Sequence, residues 1–392
     1  MSPARRLRVA VLAGGRSSEH EISLASARSV VAALDPKRYE IAEVAIGRDG
    51  RWALEAGPDQ SGHVLVTDTK TDTKTGPEET SPAEAQLVPQ AGPDRSGHGL
   101  VTDTETGPGE TSPAETLPVP AQSGTLEAVG AVDVVLPILH GPFGEDGTVQ
   151  GLLELADVPY VGAGVAASAL AMDKDLFKKV MRDSGIPVAA HHAIRLGDAI
   201  ENPFGYPVFV KPARLGSSVG ITKVHGEDEL EAAVELAFRH DEKVLVEEFV
   251  AGTEVEVGVL GNRVPPPVAS LPGQIDTLEH EWYDYASKYD DGGMELIVPP
   301  PGLSQETIEL LQRRAVESFV ASECEGLARV DFFVRESDGE VVLNELNTMP
   351  GFTATSVWAR LFEASGLGYA DALDRLIGLA LERHERRSKL VY

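Results

Sequence analysis

Cysteine is nearly missing from this sequence: Cys324 is the one thiol in 392 residues. That excludes an internal disulfide and any cysteine-rich metal centre, and it suits a reducing cytoplasm. Positive charge is scarce as well, with 34 lysines and arginines against 62 acids and a formal net charge of -28. A chain so acidic is not expected to wrap a nucleic acid or lie on an anionic membrane, and any anionic ligand must be held by local cations against the overall field. Long apolar runs are lacking too. The opening "MSPARRLRVAVLAGG" joins a basic stretch to an apolar run shorter than a secretory h-region. Nothing approaches the roughly 20 apolar residues of a membrane-spanning helix.

What is present is globular material, 42% hydrophobic and long enough for two or three domains. Strand and helix patterns alternate in α/β order. Strands are expected at Arg8 to Ala13 and Asp133 to Leu139, and helices at Ser23 to Leu34 and Val149 to Leu155. From about 56 to 124 the composition turns polar and repeats: "AGPDQSGHVLVTDT" returns as "AGPDRSGHGLVTDT", matching at 12 of 14 positions. "TGPEETSPAEA" likewise returns as "TGPGETSPAET", matching at 9 of 11. Two copies are too few for a solenoid. Glu55 to Pro120 holds 12 acids and 3 bases, so about a third of the net charge sits on an insertion expected to be disordered and to carry no core. His63 and His98, at equivalent repeat positions, read as solvated. After the insertion come a helix around "MDKDLFKKVMRDSG", strand "PVFVKPA", turn "RLGSSVG", and strands "ITKV", "KVLVEEFV" and "EVEVGVLG". An aromatic loop follows from His280 to Gly293, then a helix at Gln305 to Ser322, strands "LARVDFFV" and "EVVLNELN", and a last helix at Tyr369 to His384.

Chemistry concentrates in a few places. On strands, residues two apart share a face, so Glu345 and Asn347 point one way, as do Arg329 and Asp331. If the two strands pair, two carboxylates, an amide and a guanidinium converge. Oxygen donors without His or Cys suit a hard cation such as Mg²⁺, while a buried ion pair with Asn347 capping the turn is an equal reading. "RLGSSVG" lets backbone N–H groups and Ser217 and Ser218 approach phosphates, although it is not a P-loop and also reads as an ordinary hairpin. Lys174 and Lys211 can supply point charges or be surface cations. In "LAGGRSSEHEIS", Ser18 and Glu21 have capping-box spacing, which leaves Glu19 one residue into the helix at the carboxyl end of a strand, where ligands of open α/β sheets bind. A surface acid favoured by the helix dipole is the alternative. His140 stands beside a glycine at the end of another strand.

"GGRSSEHEIS", "LHGPFGEDGTVQG", "MDKDLF", "VKPARLGSSVGI", "YDYASKY", "ARVDFF" and "NELNTMPGFT", in that order, resemble the D-alanine:D-alanine ligases of the ATP-grasp superfamily. The resemblance covers nearly everything outside the insertion. It implies an N-terminal open parallel-sheet domain (1–162) followed by an ATP-grasp pair of α+β domains (163–250 and 251–392). By the same resemblance, Asp331, Glu345 and Asn347 hold two Mg²⁺ or Mn²⁺ ions, and Lys174, Lys211, Ser217 and Ser218 hold phosphates. Glu247 and Val250 border the adenine, Glu254 the ribose, and Lys288 reaches the γ-phosphate.

Glu19 would take the ammonium of the first D-alanine with His140 nearby, completed by Ser217 and Tyr289. Arg329 and the N–H of Gly351 would stabilise the oxyanion, and Ser356 and the N–H of Val357 would receive the second carboxylate. The implied activity is ATP-dependent synthesis of D-alanyl-D-alanine through an acyl phosphate, for peptidoglycan, in a cytoplasmic homodimer with a possible monovalent cation. The loop His280 to Gly293 is the implied lid, since an acyl phosphate must be kept from water. Leu215 departs from the often polar residue at its position in the phosphate loop, and the repeated insertion has no family counterpart. Alternatives are a D-alanine:D-lactate ligase, another ATP-grasp carboxylate–amine ligase, or a nucleotide-binding regulator without chemistry. The intact set of Arg329, Asp331, Glu345 and Asn347 argues against the last.

Overall fold

The computed structural model describes residues 5–55, 131–276 and 295–391. The repeated insertion and the loop His280 to Gly293 expected to act as a lid, with Lys288 and Tyr289 upon it, lie outside these residues. Strand β1 (Leu7–Gly14) is an apolar run buried on both faces, as a central parallel strand must be. It pairs in parallel with β2 (Tyr39–Ile46) and β4 (Val134–Pro137), and β3 (Trp52–Glu55) adds an antiparallel edge to β2. Helix α1 (His20–Ala33) links β1 to β2 and packs Ala27 and Val30 onto this sheet. Helices α2 (Thr148–Leu155), α3 (Val165–Met172) and α4 (Lys174–Asp183) follow.

The "MDKDLF" stretch expected to be one helix is in fact a junction. Asp173 is extended (φ -87°, ψ 94°) and its carboxylate accepts from the N–H of Leu176, so α3 ends there and α4 begins at Lys174. A four-stranded antiparallel sheet, in the order β5 (His191–Arg195), β8 (Lys243–Glu248), β6 (Val208–Pro212), β7 (Thr222–Val224), is covered by α5 (Glu227–Phe238).

The third sheet runs β12 (Glu295–Ile297), β11 (Gly273–Asp276), β9 (Gly252–Gly261), β13 (Gly326–Arg335), β14 (Val341–Asn347), with β10 (Val268–Ala269) beside β9. Helix α6 (Gln305–Ala321) packs Leu311, Ala315 and Phe319 against its β9–β13–β14 face. After α7 (Val357–Ala364), the last helix α8 (Tyr369–Arg387) returns to the first sheet, where Leu373, Leu376 and Ile377 share a core with Val9, Val11 and Leu136. The loop between β14 and α7 is thereby carried against the carboxyl ends of β1 and β4.

Candidate active site

Strands β13 and β14 pair antiparallel with Arg329 opposite Asn347 and Asp331 opposite Glu345. The register then slips, so that Phe332 faces Leu343 and Asn344 is the extra residue of a β-bulge. The bulge reconciles two demands. Val341 and Leu343 enter the core shared with α6, as does Leu346, so the buried face changes parity at Asn344 and leaves Glu345 and Asn347 beside Arg329 and Asp331. Arg329 donates Nε and Nη2 to the two oxygens of Asp331 at 2.8 Å, and Asn347 Nδ2 donates to Asp331 Oδ2 at 2.9 Å. Glu345 lies 3.3 Å from the Lys174 ammonium. The convergence that strand pairing required is present, and the ion pair of the alternative reading is part of it.

Because Asp173 starts α4 at Lys174, Lys178 follows one turn later on the same face. Lys174 also donates to the carbonyl of Leu215 at 2.8 Å. Lys178 is wholly buried, 2.9 Å from Glu247 Oε2, and Lys211 reaches Oε1 of the same carboxylate at 2.5 Å. Burial alone raises the Glu247 carboxyl, but the two ammonium groups more than offset it and hold it at about 2. Lys174, Lys211, Ser217, Ser218, Val250 and Glu254 line a cavity of about 320 Å³, into which Phe249 and Phe333 also project.

An adjoining cavity of about 310 Å³ is lined by Glu19, His140, Arg329, Asn347, Gly351, Ser356 and Val357 among others. Gly216, Ser217 and Glu345 belong to both walls, so the cavities meet at the "RLGSSVG" turn. Ser217 and Ser218 take left-handed backbone conformations (φ 52° and 56°) rare for residues with side chains. The Ser217 hydroxyl is spent on Glu19, in a hydrogen bond that joins the turn to the start of α1. Gly141 (φ 70°) has to be glycine here, since a Cβ would collide with the Glu19 carboxylate.

The expected capping box does not form. Glu19 itself occupies the N-cap, its own N–H directed to Ser17 Oγ at 3.3 Å, and Glu21 reaches outward to Arg48 at 3.2 Å. The helix begins at His20, two residues after Ser18, so Ser18 is out of place for a cap.

The family sequence profile described as D-ala D-ala ligase N-terminus matches residues 8–163, and that described as D-ala D-ala ligase C-terminus matches residues 180–378. The chain belongs to the D-alanine–D-alanine ligase family. It is 44% identical to the D-alanine–D-alanine ligase of Streptomyces griseus over 97% of this chain and 94% of that one. Among solved structures, the D-alanine–D-alanine ligase of Coxiella burnetii superposes with a TM-score of 0.72 at 33% identity, covering 98% of this chain and 97% of its own. The VanG D-Ala:D-Ser ligase of Enterococcus faecalis superposes with 0.73 at 33% identity, covering 96% and 100%. The expected ATP-grasp architecture agrees with these likenesses. Two solved ligases named for different second substrates superpose on the chain equally well, so backbone likeness alone does not choose that substrate.

Against the family's expected site, the described residues form two groups. The phosphate and nucleotide set (Lys174, Lys211, Ser217, Ser218, Glu247, Val250, Glu254) lines the first cavity, and the substrate set lines the second. Asp331 lies 2% exposed beneath Arg329. His140 is buried with both ring nitrogens engaged, by Met349 O at 2.9 Å and Ser26 Oγ at 3.2 Å. Burial pushes its pKa down, against the opposing charge of Glu19, so the ring is neutral.

Three residues escaped the sequence reading. Glu256 of β9, fully buried, sits opposite Asp331 with its carboxylate 3.1 Å from Arg329 Nε. Its spacing of two from Glu254 was the available signal. Lys178, four residues from Lys174 on a helix, had a comparable one. Glu145, in the glycine-rich "FGEDG" turn, had none.

Proposed function

We propose that this chain joins two D-alanine molecules into D-alanyl-D-alanine, converting ATP to ADP and phosphate and furnishing a peptidoglycan precursor. The supporting observation is the pair of cavities that meet at Gly216, Ser217 and Glu345. One is walled by lysines and aromatic rings and suits a nucleotide. The other has Glu19 on one side and Arg329, Gly351 and Ser356 on the other, which suits amino acids carrying both charges.

A carboxylate is a poor electrophile, so the first D-alanine carboxylate attacks the γ-phosphorus and becomes an acyl phosphate. The amine of the second then attacks the acyl carbon and phosphate leaves. In this reading Lys174 and Lys211 hold phosphate oxygens, and Glu19, fixed by Ser217, holds the first ammonium. Arg329 and the N–H of Gly351 stabilise the oxygen that gains charge during amine attack. Ser356 and Val357 stand at the amino end of α7, where early N–H groups lack intrahelical acceptors and favour a carboxylate. Asp331, Glu345 and Asn347 present only oxygen ligands, a set that fits a small hard cation, and they would hold two Mg²⁺ or Mn²⁺ ions. Bound there, divalent ions would neutralise charge on the transferring phosphoryl group. By the family resemblance, Lys288 would reach the γ-phosphate and Tyr289 would join Glu19 and Ser217 at the first substrate. The same reading includes the division into 1–162, 163–250 and 251–392, a cytoplasmic homodimer, and a monovalent cation.

The test is a competition of equal D-alanine, D-lactate and D-serine with ATP from pH 6 to 9, with products separated. The dipeptide should predominate and its formation should rise with pH as the second amine loses its proton. Tyr289→Phe should cost roughly tenfold, the order of one hydrogen bond of about 0.5–1.5 kcal/mol. A majority of ester or of D-alanyl-D-serine at pH 7 overturns the second substrate, and ATP turnover indifferent to D-alanine overturns the reaction.

A further inference from the structure

One carboxylate joins two loops that are far apart in sequence. Glu145 Oε2 accepts from the N–H of Gly141 at 2.7 Å, in the turn after β4, and Oε1 accepts from the N–H of Met349 at 2.9 Å, in the turn after β14. The other side of Met349 is held as well, since its carbonyl accepts from His140 Nδ1–H at 2.9 Å. That bond sets the tautomer: neutral His140 is left with a bare Nε2, which accepts from the Ser26 hydroxyl at 3.2 Å. Ser26 Oγ in turn accepts from the N–H of Phe352 at 3.3 Å, and Tyr369 donates to the Phe352 carbonyl at 2.7 Å. Gly351, a residue whose missing side chain leaves its backbone loose, therefore lies in a short span whose two ends, Met349 and Phe352, are each pinned by residues outside it.

We propose that Glu145 is a positioning residue, which with His140 and Ser26 clamps the Met349–Phe352 turn so that the Gly351 N–H and Arg329 converge on one oxygen. This rests on the ligase reading given above. Glu145 does not have to touch the reacting atoms. It fixes the distance between the carboxyl edge of the first sheet and the end of β14, and a donor misplaced by an ångström loses much of its effect. Burial and the neighbouring Glu19 push its carboxyl up to about 8. Both of these partners are backbone N–H groups, which a neutral acid can satisfy with its remaining lone pairs as a carboxylate can.

The test compares Glu145→Gln with wild type, because glutamine keeps the shape but offers one acceptor oxygen and an NH₂ that faces the other N–H. Wild-type enzyme must first form dipeptide, and failure there counts against the ligase reading alone. Given that activity, kcat for Glu145→Gln should fall about 10- to 100-fold, with KM for ATP, ADP affinity and melting temperature nearly unchanged. Affinity for a phosphinate analogue of the tetrahedral intermediate should fall in proportion to kcat/KM. Ser26→Ala, at the far end of the relay, should give a smaller loss with the same signature. Unchanged kcat in Glu145→Gln, or a loss shared equally by ADP binding and melting temperature, overturns the positioning role.

Discussion

Arg329 grips both oxygens of Asp331 while Glu256 stands 3.1 Å from its Nε, so the guanidinium is bracketed by two buried acids. This geometry needs a planar fork. A lysine presents a single point charge and cannot replace it. Arg329→Lys should lower kcat by roughly 10²- to 10³-fold, the loss typical of a missing oxyanion donor. Nucleotide affinity should stay within a few-fold, because Arg329 lines the second cavity and not the one that holds Phe249 and Phe333. ADP release and ADP binding, measured side by side, check both statements, and a near-normal kcat removes Arg329 from the reaction.

Glu345 and Asn347 make a second prediction. Glu345→Gln or Asn347→Ala should depress turnover far more than nucleotide binding, since the lysines and the aromatic wall remain. The Mg²⁺ concentration needed for half-maximal rate should also rise. Near wild-type turnover in either variant would show that the metal assignment is wrong.

The Lys178–Glu247–Lys211 triad predicts the behaviour in acid. Glu247 is held at about 2 in the fold against about 4.5 in the unfolded chain. Its folded pKa is depressed, so its contribution is fully present above the unfolded value and is lost as pH falls from about 4.5 toward 2, while burial of Lys178 lowers that ammonium's pKa and offsets part of the gain. Glu247→Gln should be less stable than wild type at pH 7 and should flatten the decline below pH 4.5. Lys178→Met, which leaves Glu247 buried with one partner removed, should cost about 3–5 kcal/mol. Urea unfolding at pH 7, 5, 4 and 3 measures each, and parallel pH profiles for wild type and Glu247→Gln would dismiss the triad as a source of stability.

Composition alone supports a further expectation. The repeated acidic stretch has too little apolar content to join a core. Deleting Gly57 to Ser123 behind a short Gly-Ser linker should leave ligase activity nearly unchanged. Loss of folding or of self-association in the shortened chain contradicts it.

Much of the fold was legible because its signals are local. The apolar run of β1, the alternation along β13 and the helical stripe of α8 each state their own conformation, and these three differ from expectation only by a few residues at their ends, whereas β2, β5, α5 and α7 were not anticipated. The capping box was misread for a local reason as well. Ser18 and Glu21 have the right spacing, but the glycine turn sets the helix start at His20, and spacing does not show where a helix begins.

The sequence by itself determined which chemistry-bearing groups are present: carboxylates and an amide without thiols, two lysines, a small-residue turn and an acid at a strand end. It also determined the family, since motif order survives without coordinates. Tertiary structure alone decided the pairings. The Asn344 bulge turns Glu345 away from the core that holds Leu343. Lys178 and Lys211 converge on Glu247, and Glu145 binds Gly141 beside it and Met349, 204 positions away. The reason is physical. Strand alternation and helix period act over a few residues and can be read in order, whereas the partner of a buried charge is whichever group packing brings within about 3 Å, and that depends on the whole fold at once.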